Sequence, residues 1–185
     1  GGVIIYPTDT IYGLGCDFSQ KGAIERIRRI KGRDSKKPMS FVCSDLTHIS
    51  RYAHVSNFAY CILQRFLPGP YTFVLSGTKE TPHIVLSKHK TVGIRIPDHP
   101  LPLALVSKFG QPIISTSANR ADEDVHADPG ELVGEFGDAT DIIIDCGLLP
   151  IQPSTVVSLV DDRVEILREG GGDLEFFRQQ ARESS

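Results

Sequence analysis

Between Arg26 and Lys37, seven of twelve positions are lysine or arginine. Arg26, Arg28 and Arg29 fall at helical spacing and read as a solvated face. Lys31, Arg33, Lys36 and Lys37 lie beyond that helix, in a turn-rich segment ending at Pro38. A basic loop beside a strand can clamp a polyphosphate, although such charges also serve simply to keep a surface soluble. A second candidate is Ser115-Thr116-Ser117-Ala118-Asn119, five small residues directly after an apolar strand. Ligands of open α/β sheets gather at strand ends. If the segment stays extended, Ser115, Ser117 and Asn119 point the same way. The alternative is a polar loop that caps its own backbone. Third, Arg95 interrupts the apolar run Thr91-Val92-Gly93-Ile94-Arg95-Ile96. Alternation puts Thr91, Gly93 and Arg95 on one face, which suits an anionic ligand approaching the backbone. A structural ion pair or a water-facing edge strand would explain Arg95 equally well. Arg168, before Glu169-Gly170, poses the same question.

These residues suggest binding and charge neutralisation without a nucleophile. There is no G-x-x-x-x-G-K-[ST] loop, and Gly13-Leu14-Gly15 lacks the third glycine of a dinucleotide fingerprint. The six histidines form no H-E-x-x-H or H-x-E pattern. Cys16, Cys43, Cys61 and Cys146 include no close pair, so neither a disulfide framework nor a zinc site is expected. Reduced thiols in a cytoplasmic protein fit better. A net charge of −3 argues against a surface built to coat nucleic acid. No apolar run approaches a membrane span, and no secretory leader is visible.

The elements that must position these residues follow from periodicity. Strand Val3–Tyr6 is followed by the turn formers Pro7-Thr8-Asp9-Thr10. Gly1-Gly2 ahead of that strand resembles the end of a helix, so a helix is expected N-terminal to residue 1. Ser19 is expected to cap a helix over residues 20–31, with Ile24, Ile27 and Ile30 inward. A strand from Met39 to Cys43 precedes a helix capped by Ser56 and ended by Pro68-Gly69-Pro70. Strands Tyr71–Leu75 and Val92–Ile96, a helix from Pro100 to about Phe109, and a short strand at Ile113-Ile114 follow. Then come a helix near Glu131–Phe136, a strand Ile142–Ile144 and a hairpin pairing Thr155–Val160 with Arg163–Leu167. Asp173 can cap a last helix. With no linker or repeat, residues 1–185 read as a single α/β domain. Alternating strands and helices plus a closing hairpin require a mixed, parallel and antiparallel, sheet.

Taken in order, the segments resemble the YrdC-type threonylcarbamoyl-AMP synthase family. The resemblance runs through Pro7-Thr8-Asp9-Thr10-Ile11-Tyr12-Gly13-Leu14-Gly15, Lys31-Gly32-Arg33, Lys37-Pro38, Pro68-Gly69-Pro70 and Thr72-Phe73. It continues through Thr91-Val92-Gly93-Ile94-Arg95-Ile96-Pro97, His99-Pro100, Ser115-Thr116-Ser117-Ala118-Asn119, Pro153-Ser154-Thr155-Val156-Val157 and Leu167-Arg168-Glu169-Gly170. Each motif is short, but the ordered set is specific and covers nearly the whole chain. The family implies a twisted mixed sheet flanked by helices around a central concave cleft. It implies a nucleotidyltransferase that converts L-threonine, bicarbonate and ATP, with Mg2+, into threonylcarbamoyl-AMP and pyrophosphate. Downstream tRNA-threonylcarbamoyl transferase proteins would use that product to modify the adenosine beside the anticodon.

By this resemblance Lys31, Arg33, Ser117 and Asn119 form the catalytic tetrad. Thr10, Arg95, Ser117 and Ser154 match positions that hold threonine. Lys31, Arg33, Lys37, Thr91, Ser115, Asn119 and Arg168 match positions around ATP. No residue matches a metal ligand. Two features depart from many synthases. Val42-Cys43 stands where a histidine follows the K-x-x-P segment, and Arg120-Ala121-Asp122 replaces a Ser-Gly pair after Asn119. Both resemble a sibling subfamily of the same fold, in which the K-x-R and S-x-N elements are degraded; here both are intact. Two further readings are hydrolysis of threonylcarbamoyl-AMP and non-catalytic, weak RNA binding through the basic segment. The chain resembles the short form of the family, without the additional C-terminal domain of longer synthases.

Overall fold

The computed structural model describes residues 1–32 and 39–183. Among these, nine strands form one sheet in the order β7-β1-β2-β6-β3-β5-β4-β8-β9. They are β1 (Val3–Tyr6), β2 (Gly13–Asp17), β3 (Ser40–Val42), β4 (Tyr71–Ser76), β5 (Thr91–Arg95), β6 (Ile113–Ser117), β7 (Ile142–Ile143), β8 (Thr155–Ser158) and β9 (Glu165–Arg168). The β1–β7, β3–β5 and β4–β8 pairs are parallel and the rest antiparallel, so the sheet is mixed as expected. Helices α1 (Lys21–Ile30), α2 (Leu46–Tyr52), α3 (Asn57–Phe66), α4 (Pro100–Phe109), α5 (Pro129–Phe136) and α6 (Glu175–Glu183) surround it.

Strand alternation divides the sheet into two faces. Phe41, Phe73, Val92, Ile94, Ile114 and Val157 enter the main core, together with Ile24, Ile27 and Ile30 of α1. A smaller cluster of Tyr6, Val42, Val106 and Ile113 packs around α4. Between the two, small side chains leave the second face open. Ser115 pairs with Ser40, which pairs with Gly93 on its other side. A Cβ on Gly93 would lie 2.6 Å from Ser40 Oγ, so a side chain there would fill the floor of the cleft.

Three local expectations are corrected. Ser19 does not cap α1. Its hydroxyl donates to Asp17 Oδ2 at 2.8 Å, and the helix begins at Lys21 behind Gln20 with no side-chain cap. Asp17, ending β2, wins that hydroxyl because it lies two residues away. Helix α2 was not expected: it is short, and Ile49 and Tyr52 are its buried residues, although Asp45 caps it by accepting the His48 amide at 2.9 Å. Strand β2 is also absent from the sequence expectations, because two glycines in three residues weaken a strand signal. Packing explains those glycines. A Cβ on Gly15 would sit 2.9 Å from the Ile114 carbonyl oxygen and 3.0 Å from the Tyr6 ring. Gly15→Ala is therefore expected to destabilise the fold by roughly 1–3 kcal/mol, the usual range for overpacking, as read by denaturant unfolding.

Other elements agree closely with the sequence. Ser56 Oγ accepts the Ala59 amide at 3.1 Å and caps α3. Gly110, at φ +78°, ends α4 in the left-handed conformation that glycine adopts without strain. The closing hairpin forms, its turn made by Asp161 and Asp162 at φ 55° and 58°. Asp173 Oδ1 accepts the Glu175 amide at 3.2 Å, at the start of α6.

Candidate functional site

A cavity of about 500 Å³ occupies the open face of the sheet. Its walls come from β2 to β6, β8, β9, the β1–β2 connection, Ile27 and Lys31 at the end of α1, and residues 119–123 with Val125. Of the expected site residues, Lys31, Thr91, Arg95, Ser115, Ser117, Asn119, Ser154 and Arg168 line it together. Arg33, Lys36 and Lys37 lie outside the described residues.

At one end stands Lys31, just past the last turn of α1 and only 8% exposed. Its Nζ donates to Asn119 Oδ1 at 2.7 Å, to the Ser117 carbonyl at 2.9 Å and to Ser117 Oγ at 3.2 Å. Ser117 Oγ in turn donates to Asn119 Oδ1 at 2.6 Å. The Asn119 amide group is oriented from its other side, where Nδ2 donates to the Glu123 carbonyl at 2.5 Å. The Ala121 amide donates to the Lys31 carbonyl at 2.7 Å, tying the two segments across the cleft. Lys31 of the K-x-R element and the S-x-N element, 86 to 88 residues apart, thus meet in one charge-assisted network.

The reading of residues 115–119 as a self-capping loop does not hold for the serines. Strand β6 continues through Ser117, pairing Ser115 with Gly15 and Ser117 with Gly13. Both hydroxyls therefore project from a strand. Ser115 is further fixed by Tyr6, whose hydroxyl donates to Ser115 Oγ at 2.6 Å. Burial pushes the Tyr6 pKa up to about 12, against the smaller opposing effects of Ser115 and Arg95, so Tyr6 keeps its proton at any physiological pH.

Two guanidiniums stand towards the other end of the strands, Arg95 being level with Val42 and Ile113, four residues along β6 from Ser117. Arg95 is 9% exposed and faces the cleft, not an edge of the sheet. Its Nη2 donates to Thr10 Oγ1 at 2.6 Å and Thr8 Oγ1 at 3.3 Å, and forms an ion pair with Asp9. The structural ion pair open at the sequence level is present, and the side chain still lines the cavity. Thr10 lies behind Arg95, off the cavity wall. Arg168 donates to the Ser154 carbonyl at 2.7 Å from Nη2 and 3.2 Å from Nε. Partial desolvation, and then the charge of Arg95, hold its pKa below the usual arginine value. Ser154 Oγ is shared between Arg168, at 3.2 Å, and Thr72 Oγ1, at 2.8 Å. Thr91 Oγ1 contacts Ser87 Oγ at 2.7 Å.

Asp9, Thr72, Ser40 and Tyr6 were not assigned to the site from sequence. Asp9 and Thr72 stood within the quoted motifs, and Ser40 stood on the outward phase of its strand. Tyr6 gave no signal, since it reaches Ser115 only through the β1–β2–β6 stacking. Arg26 also departs from the solvated reading: it donates to the Ala139 carbonyl and Asp141 Oδ2, both near 2.8 Å. The two departures from the synthase pattern have visible consequences. Val42 lines the cleft beside Arg95, whereas Cys43 points into the core and burial raises its pKa. Arg120 pairs with Glu135 at 2.7 Å, and Glu135 also meets His126 Nε2 at 2.5 Å, so one carboxylate of α5 holds Arg120 on the cleft wall. Among the described residues no three His, Cys, Asp or Glu side chains converge as a metal site. None of their helices is long and apolar enough to cross a membrane.

The fold and much of the sequence are shared with known proteins. An uncharacterised protein, YciO, of Escherichia coli is 41% identical over 96% of this chain and 87% of its own length. Its crystal structure superposes with a TM-score of 0.90 over the same shares. A putative threonylcarbamoyl-AMP synthase of Methanocaldococcus jannaschii is 34% identical over 92% of this chain and 80% of its own. The structure of P. abyssi Sua5 complexed with L-threonine gives a TM-score of 0.89 at 29% identity, covering 96% of this chain and 53% of that one. The Sua5–YciO–YrdC family model, described as telomere recombination, matches residues 1–170. With that match spanning most of the sheet and both ends of the cleft, the chain belongs to the Sua5–YciO–YrdC family.

Proposed function

We propose that this protein forms L-threonylcarbamoyl-AMP and pyrophosphate from L-threonine, bicarbonate and ATP. The observation that carries the reading is the polarity of the cleft. A lysine gripped by Ser117 and Asn119 marks one end, two guanidiniums mark the other, and the small residues Ser40, Gly93 and Ser115 lie in register between them. An amino acid would place its carboxylate at Arg95, near Ser154. Arg168, which the resemblance matches to a position around ATP, is reassigned in this reading to the same carboxylate because it bonds Ser154 and feels the charge of Arg95. The ATP phosphates would lie towards Lys31 and the basic segment that includes Arg33 and Lys37, with Thr91, Ser115 and Asn119 contributing hydrogen bonds.

In this reading the threonine amine adds to the carbon of bicarbonate, losing water to give a carbamate. A carbamate oxygen then attacks the α-phosphorus, and the bond from that phosphorus to the oxygen bridging it to the β-phosphorus breaks. Pyrophosphate leaves with that electron pair. Lys31, already oriented by two neighbours, offsets charge developing on the phosphates. The two ends hold the reactants in line, so positioning supplies much of the rate. Mg2+ would arrive with the nucleotide and would help to neutralise phosphate charge during the transfer. The product would pass to tRNA-threonylcarbamoyl transferase proteins, in the cytoplasm.

Incubation with threonine, bicarbonate, magnesium and labelled ATP tests the proposal by release of pyrophosphate and appearance of the adenylate. Both should require threonine and bicarbonate together. Serine, one methyl smaller, should react less well by roughly 10–200-fold, the discrimination that one carbon supplies. Equal turnover with serine would remove the threonine assignment. Consumption of supplied threonylcarbamoyl-AMP without synthesis would identify a hydrolase. Strongly salt-dependent RNA binding without ATP turnover would identify a binding module.

A further inference from the structure

The end of the cleft opposite Lys31 contains a carboxylate to which the proposed reaction assigns no task. Asp9 and Arg95 are each 10% exposed at the side chain, and they meet through a single Nη2–Oδ1 contact. The pairing is end-on: Asp9 Oδ2 and Arg95 Nε are both buried without a hydrogen-bond partner. Thr8 and Thr10 take up the rest of Nη2, and no described residue bonds Nη1. Arg95 lines the cavity whereas Asp9 stands behind it. Arg168, the second guanidinium, bonds only Ser154 among the described residues.

Two arginines and one aspartate give this end a net charge of one positive unit, which matches a single carboxylate. We propose that Asp9 determines the specificity of the amino-acid end, setting it to accept a singly charged carboxylate and to turn away doubly charged phosphoryl groups. The inference rests on the proposed function and names the group that selects its ligand. The physical basis is direct. Partly buried charges interact strongly because little water screens them. A dianion at Arg95 would bring its second charge towards Asp9, whose Oδ2 has no donor to absorb the repulsion. Selection against a wrong ligand commonly uses such a repulsive element. It has a use here, since every reactive complex contains a polyphosphate that would otherwise compete for two arginines. Asp9 stands behind Arg95 and acts on the ligand by its charge without contact, so it sets specificity and is not a catalytic residue.

The test compares direct binding of L-threonine with that of 1-amino-2-hydroxypropylphosphonate, in which a phosphonate replaces the carboxylate. Calorimetric titrations are run at mildly alkaline pH, where the phosphonate is doubly charged. The unaltered protein should favour threonine. Asp9→Asn, which keeps shape and hydrogen bonding, should shift the ratio towards the phosphonate by about tenfold or more. Adding Arg168→Gln to Asp9→Asn restores one positive unit and should move the ratio back, which a purely structural role for Asp9 would not produce. Arg168→Gln alone should move it the opposite way, towards threonine, and this reads the same charge balance if Asp9→Asn does not fold. An unchanged ratio in folded Asp9→Asn, or in Arg168→Gln, overturns the proposal. Failure of the unaltered protein to bind threonine would sink the synthase reading instead, while the phosphonate titrations would still report the charge effect of Asp9.

Discussion

Lys31→Ala is expected to slow adenylate formation by about 2 kcal/mol or more in transition-state free energy, comparable to removing one preorganised donor. The expectation rests on placement. Lys31 Nζ is held by the Ser117 carbonyl and by the Asn119 side chain, so its charge is positioned before any substrate arrives. As a residue in a basic, turn-rich stretch, Lys31 would be predicted to contribute little to folding. The structure changes that part of the expectation. At 8% exposure, its loss removes a charged donor from Asn119 Oδ1 and Ser117, so a destabilisation of about 1–3 kcal/mol should accompany the rate effect. Arg28→Ala is the control. Arg28 is exposed and donates to the Ile84 carbonyl at 3.2 Å, so the change should be near neutral for both properties. Pyrophosphate release and thermal melting measure the two effects separately. Normal rates in Lys31→Ala would leave the basic segment without a catalytic part. The same assay applied to Arg33→Ala extends the test to the residue beyond the described segment.

Arg95→Lys should weaken threonine use by about 2–4 kcal/mol, a range typical of disturbing a buried hydrogen-bonded charge. Lysine keeps the charge but replaces a planar fork by a point donor. In this structure one branch of the fork is committed to Asp9, Thr8 and Thr10, and the other is the one available to a ligand. A lysine ammonium cannot serve both directions in that geometry. The loss should appear chiefly in threonine affinity, measured by titration, with a much smaller change in ATP affinity. Unaltered threonine binding would make Arg95 structural and remove the carboxylate contact from the proposal.

Much of this protein could be read from its sequence because local rules govern it. Isoleucines at helical spacing placed α1, Ser56 marked the start of α3, and Gly110 marked the end of α4. Alternation alone put Thr91, Gly93 and Arg95 on one face, and that face is the floor of the cleft. The ordered short motifs then identified the family and a polar, anion-seeking site. Tertiary structure decided what depends on partners distant in the chain. Tyr6, with Ser115 at Gly13 and the Ile114 backbone at Gly15, leaves little room for side chains, so glycines that weaken a strand by propensity are what β2 requires. Ser115 and Ser117 became strand residues because that glycine strand, and for Ser115 β3 as well, lies alongside them. The sequence left Arg95 open between ion pair and ligand contact, and the two prove compatible because an end-on pair with Asp9 engages only one branch of the guanidinium. A motif can specify which groups are present, but the sheet order brings Lys31 to Asn119 and Arg95 to the same cavity as Arg168. The charge balance of that cavity is therefore a property of the fold.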